Sequence, residues 1–412
     1  LAERLTRDDC AAMDARDPLG FARARFAIPD GIVYLDGNSL GCLPKGVAAR
    51  VAKAVEEEWG RGLIRSWNNA GWYTAPQRVA AKIAKLIGAA PDEVIVTDST
   101  SVDLFKALTA ALRLRPDRKT ILGIHGDFPT DAYIASGVAS LTGARFKRVN
   151  SDDLIRAVGE DTAVVLLTHT NYKTGFIYDM PAITAAAHEN GALVVWDLSH
   201  SAGVMPLELG KLKADFAVGC GYKYLNGGPG APAYIYAARC HHDALDHPLT
   251  GWLGHADPFA FADDYVHANG MDKLLTGTPP ILSLTALDAA LDAFDGIDLN
   301  VLRTKVTGLT GLFVALADER LLRHGFVLAS PRDAARRGGV VSLTHAEGYA
   351  IMQAVIARNV IGDFRAPDVA RFGFSPLTTR FVDVYDAAAT IEDVMSARAW
   401  DTPEFKSRKA VT

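Results

Sequence analysis

Phe216-Ala217-Val218-Gly219-Cys220-Gly221-Tyr222-Lys223-Tyr224-Leu225-Asn226-Gly227-Gly228-Pro229-Gly230 is an apolar run that ends in a lysine set among tyrosines and glycines. A second apolar run, Ala233-Tyr234-Ile235-Tyr236, follows it. Both have strand composition. Lysine is rarely buried without a partner or a task, and glycine lets a backbone approach another body closely. Lys223 is therefore either a solvated loop residue or an amine with a lowered pKa, set up as a nucleophile. The surrounding chain decides between the two.

Upstream the same texture repeats. Strand-like segments at 93–97, 120–124, 146–149, 162–167 and 193–196 alternate with helical ones at 101–114, 131–137, 151–158, 181–190 and 207–212. This rhythm predicts an α/β fold with a mostly parallel sheet covered on both faces. Such sheets bind ligands beyond the carboxyl ends of their strands. That directs attention to 97–101, 125–131, 168–171, 197–200 and 219–223. Before the sheet, Val47, Val51, Val55 and Trp59 recur at helical spacing, 60–73 reads as a loop rich in Trp and Asn, and 75–89 as another helix. Beyond about residue 285 a helical stretch at 282–319, strands at 340–343 and 370–374, and helices at 346–358 and 389–399 predict a smaller C-terminal α/β domain. The expected division is an N-terminal arm, 1–45, packing with the small domain; a large domain, 46–285; and a small domain, 286–412.

The chain has 412 residues, enough for a sizeable core and two or three domains. Its net charge of -5 comes without any block of Lys or Arg, so no nucleic-acid footprint is present. The densest basic cluster, Arg332 to Arg337, reads as a loop face. No run approaches the roughly 18 apolar residues of a membrane span. Leu1 to Arg16 is charged and lacks a signal-peptide core. Cys10, Cys42, Cys220 and Cys240 show no CxxC spacing, which suits a reducing compartment, and the cytoplasm is expected. Cys240-His241-His242, with His247 and His255, matches no zinc spacing, and no metal is expected.

Several strand ends carry chemistry. In Val194-Val195-Trp196-Asp197-Leu198-Ser199-His200 a carboxylate closes an apolar run. Asp197 either caps the next segment or holds a protonated heterocyclic nitrogen. Lysine at one strand end and acid at another form the pair that pyridoxal phosphate requires: an imine-forming amine, and an acid that keeps the pyridine nitrogen protonated. Thr97-Asp98-Ser99-Thr100-Ser101 ends a strand and opens a helix, where free N–H groups can hold a phosphate or serve as an ordinary cap. Phe128 offers a ring-stacking face or plain packing. In Thr168-His169-Thr170-Asn171, His169 is equally suited to a structural role. Arg371, on a strand before Ser375-Pro376, suits bidentate binding of a carboxylate or a structural ion pair.

Taken in order, the following stretches resemble the kynureninases, a family of fold-type I pyridoxal-phosphate enzymes: Leu35 to Gly41 (LDGNSLG), Phe128 to Asp131 (FPTD), Tyr172 to Ile183 (YKTGFIYDMPAI), Asp197 to Gly203 (DLSHSAG), Gly221 to Gly228 (GYKYLNGG), Gly251 to His255 (GWLGH) and Thr278 to Leu282 (TPPIL). The related cysteine desulfurases carry His directly before the lysine, whereas Tyr222 stands here, and no reactive-cysteine loop is evident. The resemblance implies pyridoxal 5'-phosphate as cofactor and a homodimer with shared active sites. It implies hydrolysis of L-kynurenine, with 3-hydroxy-L-kynurenine the other candidate substrate, in tryptophan degradation. It makes Lys223 the Schiff-base lysine, Asp197 the partner of the pyridine nitrogen, and His200 a neighbour of the cofactor. Thr100 and Ser101 become the phosphate-loop pair, Phe128 the stacked ring, and Asp131 and Thr168 further contacts. Tyr222 becomes a phosphate contact that also handles a proton. Trp252 and Thr278 would complete the phosphate site of the neighbouring subunit, and the glycines after Lys223 would admit that subunit closely. Arg371 would take the substrate α-carboxylate, with Ser39 and Trp67 near the substrate ring. Trp67 stands where the animal enzymes have histidine, which favours the unhydroxylated substrate. Another pyridoxal-phosphate lyase or transaminase of this fold, a non-catalytic regulator, and a cofactor-free binding protein are the competing readings.

Overall fold

The computed structural model describes residues 5–409, so the first residues of the expected arm and the last of the expected small domain lie outside the described residues. The strands are β1 Val33–Tyr34, β2 Val94–Thr97, β3 Thr120–Ile124, β4 Arg145–Val149, β5 Thr162–Thr168, β6 Leu193–Asp197, β7 Phe216–Cys220, β8 Ala233–Ala237, β9 Val327–Leu328, β10 Val340–Thr344, β11 Val360–Ile361, β12 Asp363–Arg365 and β13 Val369–Gly373.

Seven strands form one sheet in the order β2-β8-β7-β6-β5-β3-β4. Strands β4, β3, β5, β6 and β7 pair in parallel, and β8 runs antiparallel to both its neighbours. The alternating pattern predicted this mostly parallel sheet. The continuous apolar runs follow from burial on both faces. Side chains alternate between faces along a strand, so Val194 and Trp196 enter one core while Leu193 and Val195 enter the other. Helix Ala75–Ile87 covers the first face through Val79 and Ile83, and helix Thr100–Arg113 covers the second through Leu104 and Leu108. The parallel strands bring Thr168 level with Asp197, and Asp197 level with Val218. The polar residues after those strands therefore gather at one edge.

The second sheet has four antiparallel strands in the order β12-β13-β10-β9. Arg371 in β13 lies opposite Asp363 on one side and Ser342 on the other. The N-terminal segment is tied to this part of the chain. Strand β1 pairs in parallel with β11, and the Asp14 carboxylate accepts from the amides of Phe381 and Val382, capping helix Phe381–Ser396.

Four expectations need correction. The helical stretch 282–319 is two helices, Ile281–Leu291 and Leu299–Leu316. Gly296, at φ +71°, turns the chain between them, and the Asp298 side chain caps the second. The expected loop at 60–73 is mostly helical turns, because helix Lys45–Lys53 runs on as a wider π-type turn over Ala54–Gly62. The widening carries the apolar row off the core: Val47 is buried, but Trp59 is 57% exposed. Arg337 does not belong to a loop face; it is 2% exposed and donates to the carbonyls of Pro331 and Arg332. Gly227 is fitted against this chain's own Gly221 carbonyl and Leu287 rather than left open for a second subunit. Gly228 and Gly230 have φ of +82° and +76°, which the turn after Lys223 requires.

Candidate active site

Lys223 follows the carboxyl end of β7 and is 9% exposed. Its Nζ lies 3.0 Å from His200 Nε2, 5.6 Å from the centre of the Phe128 ring and 5.9 Å from that of Tyr222. An ammonium has only donors, so in that state the imidazole accepts at Nε2 and carries its proton on Nδ1. That Nδ1 is buried without a partner. Burial first, then the charge of Lys223, holds His200 well below the usual histidine range and keeps it neutral.

Asp131, which feels the charge of Lys223, forms a cluster of three carboxylates with Asp197 and Asp127. Asp197, at the end of β6, accepts from the Ser199 amide at 2.7 Å and is 4% exposed. The contact belongs to a turn, since no helix follows before Leu209, so Asp197 is not a helix cap. Asp131 is buried on the first turn of helix Pro129–Thr142, and its Oδ2 has no partner. Burial, then Asp197 and Asp127, pushes Asp131 well above the usual carboxylate range. Asp127 is pushed up to about 6 by burial, against the hydrogen bonds it receives from Thr168 and the Phe128 amide. Such a set of acids favours an added cation beside it.

The phosphate candidates stand at the next strand end. Asp98, after β2, takes φ +41°, and helix Thr100–Arg113 starts with no side-chain cap from Ser99. The first-turn N–H groups are therefore not covered by their own cap. The fully buried Lys106 fixes this loop by donating to Asp98 Oδ2 and to the carbonyl of Leu274.

These residues fit pyridoxal phosphate: an amine, an acid cluster short of one cation, an uncapped helix start and the Phe128 ring. Tyr222, half-buried, is pushed up by burial first and then by the neighbouring Cys220 and Asp197, so its phenol stays protonated. His169 proves structural: its Nδ1 meets Ser201 Oγ at 2.9 Å and its ring packs edge-on to Trp196. Among the described residues no group of His, Cys, Asp or Glu is arranged to hold a metal ion.

Arg371 is 2% exposed, with Nε donating to Asp363 Oδ1 at 2.7 Å and Nη2 to Ser39 Oγ at 3.2 Å. Ser39, Arg371 and Asp363 thus form one cluster, and both sequence readings of Arg371 remain geometrically possible. Trp67, Trp252 and Thr278 lie elsewhere in this chain. With Ile64, Tyr73, Phe259 and Phe261 they line a separate cavity of about 690 Å³. Phe261 and Ile64 on that wall are 76% and 78% exposed.

The sequence reading missed Asp127, Asp363 and Arg365. Asp127 directly precedes Phe128-Pro129, and its position just beyond the carboxyl end of β3 was the available signal. Asp363 and Arg365 sit on a three-residue strand whose pairing with Arg371 only the fold reveals.

Comparison with known proteins agrees with this geometry. Residues 302–391 match the family model described as the kynureninase C-terminal domain. The kynureninase of Pseudomonas fluorescens is 47% identical over 414 aligned residues, covering 99% of this chain and 100% of that protein. That of Burkholderia mallei (strain SAVP1) gives the same identity and coverage. Among solved structures, a cysteine desulfurase from Thermococcus onnurineus superposes with a TM-score of 0.78 at 20% identity, covering 92% of this chain and 98% of its own. The Escherichia coli cysteine desulfurase CsdA superposes with a TM-score of 0.77 at 19% identity, over the same shares. At that identity these two speak for the fold alone. The full-length relatives go further: this chain belongs to the kynureninase family.

Proposed function

We propose that the reaction of this chain, hydrolysis of L-kynurenine to anthranilate and L-alanine, is carried out at the strand ends that bear Lys223, Asp197 and Arg371. The observation that carries this placement is Lys223 Nζ held at 3.0 Å by His200, with the buried Asp131 and Asp197 beside it. Pyridoxal phosphate, when bound, supplies an electron sink. Lys223 would anchor it, Asp197 would pair with its ring nitrogen, and Thr100, Ser101, Phe128, Asp131, Thr168, His200 and Tyr222 would supply its remaining contacts. Lys223 Nζ also takes the proton from the substrate α-carbon, and His200 Nε2 keeps that nitrogen in place. Water adds at the γ-carbonyl, and the Cβ–Cγ bond breaks. The Tyr222 phenol, kept protonated by burial, donates toward the three-carbon fragment that becomes alanine. Arg371 holds the α-carboxylate and so fixes which α-bond is presented.

The reading includes a cytoplasmic homodimer. The exposed aromatic wall at Trp252, Phe259 and Phe261, beside Thr278, supports a subunit contact there, since monomers rarely expose apolar patches of this kind. The same reading takes Trp67, on this wall, as a substrate-ring contact and favours the unhydroxylated substrate. The domain division at 45 and 285 belongs to the same reading. The test is to incubate the cofactor-loaded protein with L-kynurenine and follow fluorescent anthranilate. Equimolar anthranilate and L-alanine are expected; amino-group transfer without anthranilate would point to a transaminase of the same fold.

Two further outcomes are expected. Arg371→Lys should raise KM for L-kynurenine about a hundredfold, with kcat much less affected, because an ammonium cannot reproduce the planar fork. An unchanged KM removes Arg371 from the carboxylate site. The second concerns Asp36, which burial, and then Asp363, pushes up to about 7. It faces Asp363, Arg365, Arg371 and Ser39, with Tyr34 and Tyr224 nearby. Below that pH Asp36 is neutral, and two guanidiniums face one carboxylate. Above it Asp36 ionises and cancels the remaining positive charge. KM is therefore expected to rise by about tenfold as pH climbs from about 6 to about 9. Asp36→Asn should flatten that rise when the two KM–pH profiles are compared.

A further inference from the structure

The guanidinium of Arg371 is already heavily used. Its Nε and Nη2 take the two oxygens of Asp363, Nη2 also reaches Ser39 Oγ, and Nη1 donates to the carbonyl of Tyr172. Arginine has five N–H donors. These contacts engage all but one of them, whereas a bidentate carboxylate needs two parallel donors.

A second guanidinium stands beside it. Asp363 and Arg365 are two apart on β12, so they share a face of that strand. Arg365 Nη2 lies 2.8 Å from Asp363 Oδ2 and 3.4 Å from Ser39 Oγ. Ser39 Oγ donates to Asp363 Oδ2 at 2.7 Å while receiving both arginines. An oxygen atom thus already occupies the fork between the two guanidiniums. The Arg365 side chain is 36% exposed, against 2% for Arg371, so Arg365 has the open face. Charge gives the same answer. Two guanidiniums against Asp363 leave one positive unit while Asp36 is neutral, and one α-carboxylate cancels it.

We propose that Arg365 is a substrate-binding residue: with Arg371 it holds the α-carboxylate of the substrate, one oxygen accepting from the N–H that Arg371 has left and the other from the exposed edge of Arg365, while Ser39 Oγ keeps its bond to Asp363. Asp363 is the positioning residue that aims both. The proposal rests on the reading of Arg371 as the carboxylate arginine. A bare Arg365–Asp363 ion pair is the competing role, and it would touch stability without touching substrate affinity.

The test uses the holoenzyme and steady-state kinetics. Arg365→Gln is expected to lower kcat/KM for L-kynurenine by about ten- to a hundredfold, carried almost wholly by KM. Arg365→Lys should recover part of this, because a single-oxygen contact needs only a point charge. The decarboxylated amine of kynurenine, used as a competitive inhibitor, should bind both variants as it binds the parent. The cofactor absorbance and Tm of each variant establish that it is folded and loaded. An unchanged KM in Arg365→Gln, with KM raised in Arg371→Lys, overturns the proposal and leaves Arg371 in its place. Equal losses for kynurenine and for the decarboxylated amine overturn it as well, because the defect is then general. If neither arginine variant raises KM, the carboxylate site lies elsewhere and both readings fall.

Discussion

Lys223→Ala is expected to abolish the near-visible absorption band of the protein-bound cofactor and to lower kcat by about four to six orders of magnitude. Two functions meet in one nitrogen. Nζ anchors the cofactor and then serves as the base at the substrate α-carbon, so nothing else in the site can divide the loss. His200, at 3.0 Å, is the nearest nitrogen, but burial and the lysine itself hold it well below the usual histidine range. It stays an acceptor that orients Nζ, a weak base in its own right. In the variant, the covalent link between Nζ and the cofactor is lost. Cofactor binding should therefore loosen along with catalysis, measurable by titrating apoenzyme with pyridoxal phosphate. Retention of the band, or activity within about tenfold of the parent, removes Lys223 from the centre of the site.

Asp197→Asn is the second large effect, expected to lower kcat by about two to three orders of magnitude. A carboxylate within hydrogen-bond reach shifts the pKa of a cationic partner by roughly one to three units, and each unit is a tenfold change in the protonated fraction. The amide keeps the shape and the Ser199 contact but not the charge. Asp131 does not replace it, because burial and its acidic neighbours already hold it toward the neutral form. With Asp197 gone, one of the groups raising Asp131 disappears, so some ionisation of Asp131 is restored. The variant is expected to regain part of its activity as pH rises, and a pH–kcat profile against the parent measures this. A kcat within about threefold of the parent places the nitrogen partner elsewhere.

Much of the site was legible in the chain because of how a parallel sheet is written. A strand buried on both faces is an unbroken apolar run, so the first polar residue after it marks the functional edge. Asp197 after Val194-Val195-Trp196 and Lys223 after Phe216-Ala217-Val218 are both found by that rule. Thr168 follows for the same reason, and Thr100 and Phe128 lie a few residues beyond their own strands. The Arg371 cluster resisted it. Asp363, Arg365 and Ser39 are joined by hydrogen bonds spanning more than 300 residues in sequence, and β12 is too short to announce itself. How many N–H donors of Arg371 are engaged is likewise a property of the fold. The row Val47, Val51, Val55, Trp59 was misleading for a different reason. Periodicity reports an apolar stripe but not what covers it, and here a π-type turn leaves its second half exposed.

The most direct measurement is borohydride reduction of the holoenzyme, followed by digestion and mass-spectrometric location of the pyridoxyl group. The group should appear on Lys223 alone, with loss of activity in proportion to its incorporation. A pyridoxyl group on any other lysine, or full incorporation with activity retained, would contradict the placement of the reaction at this strand end.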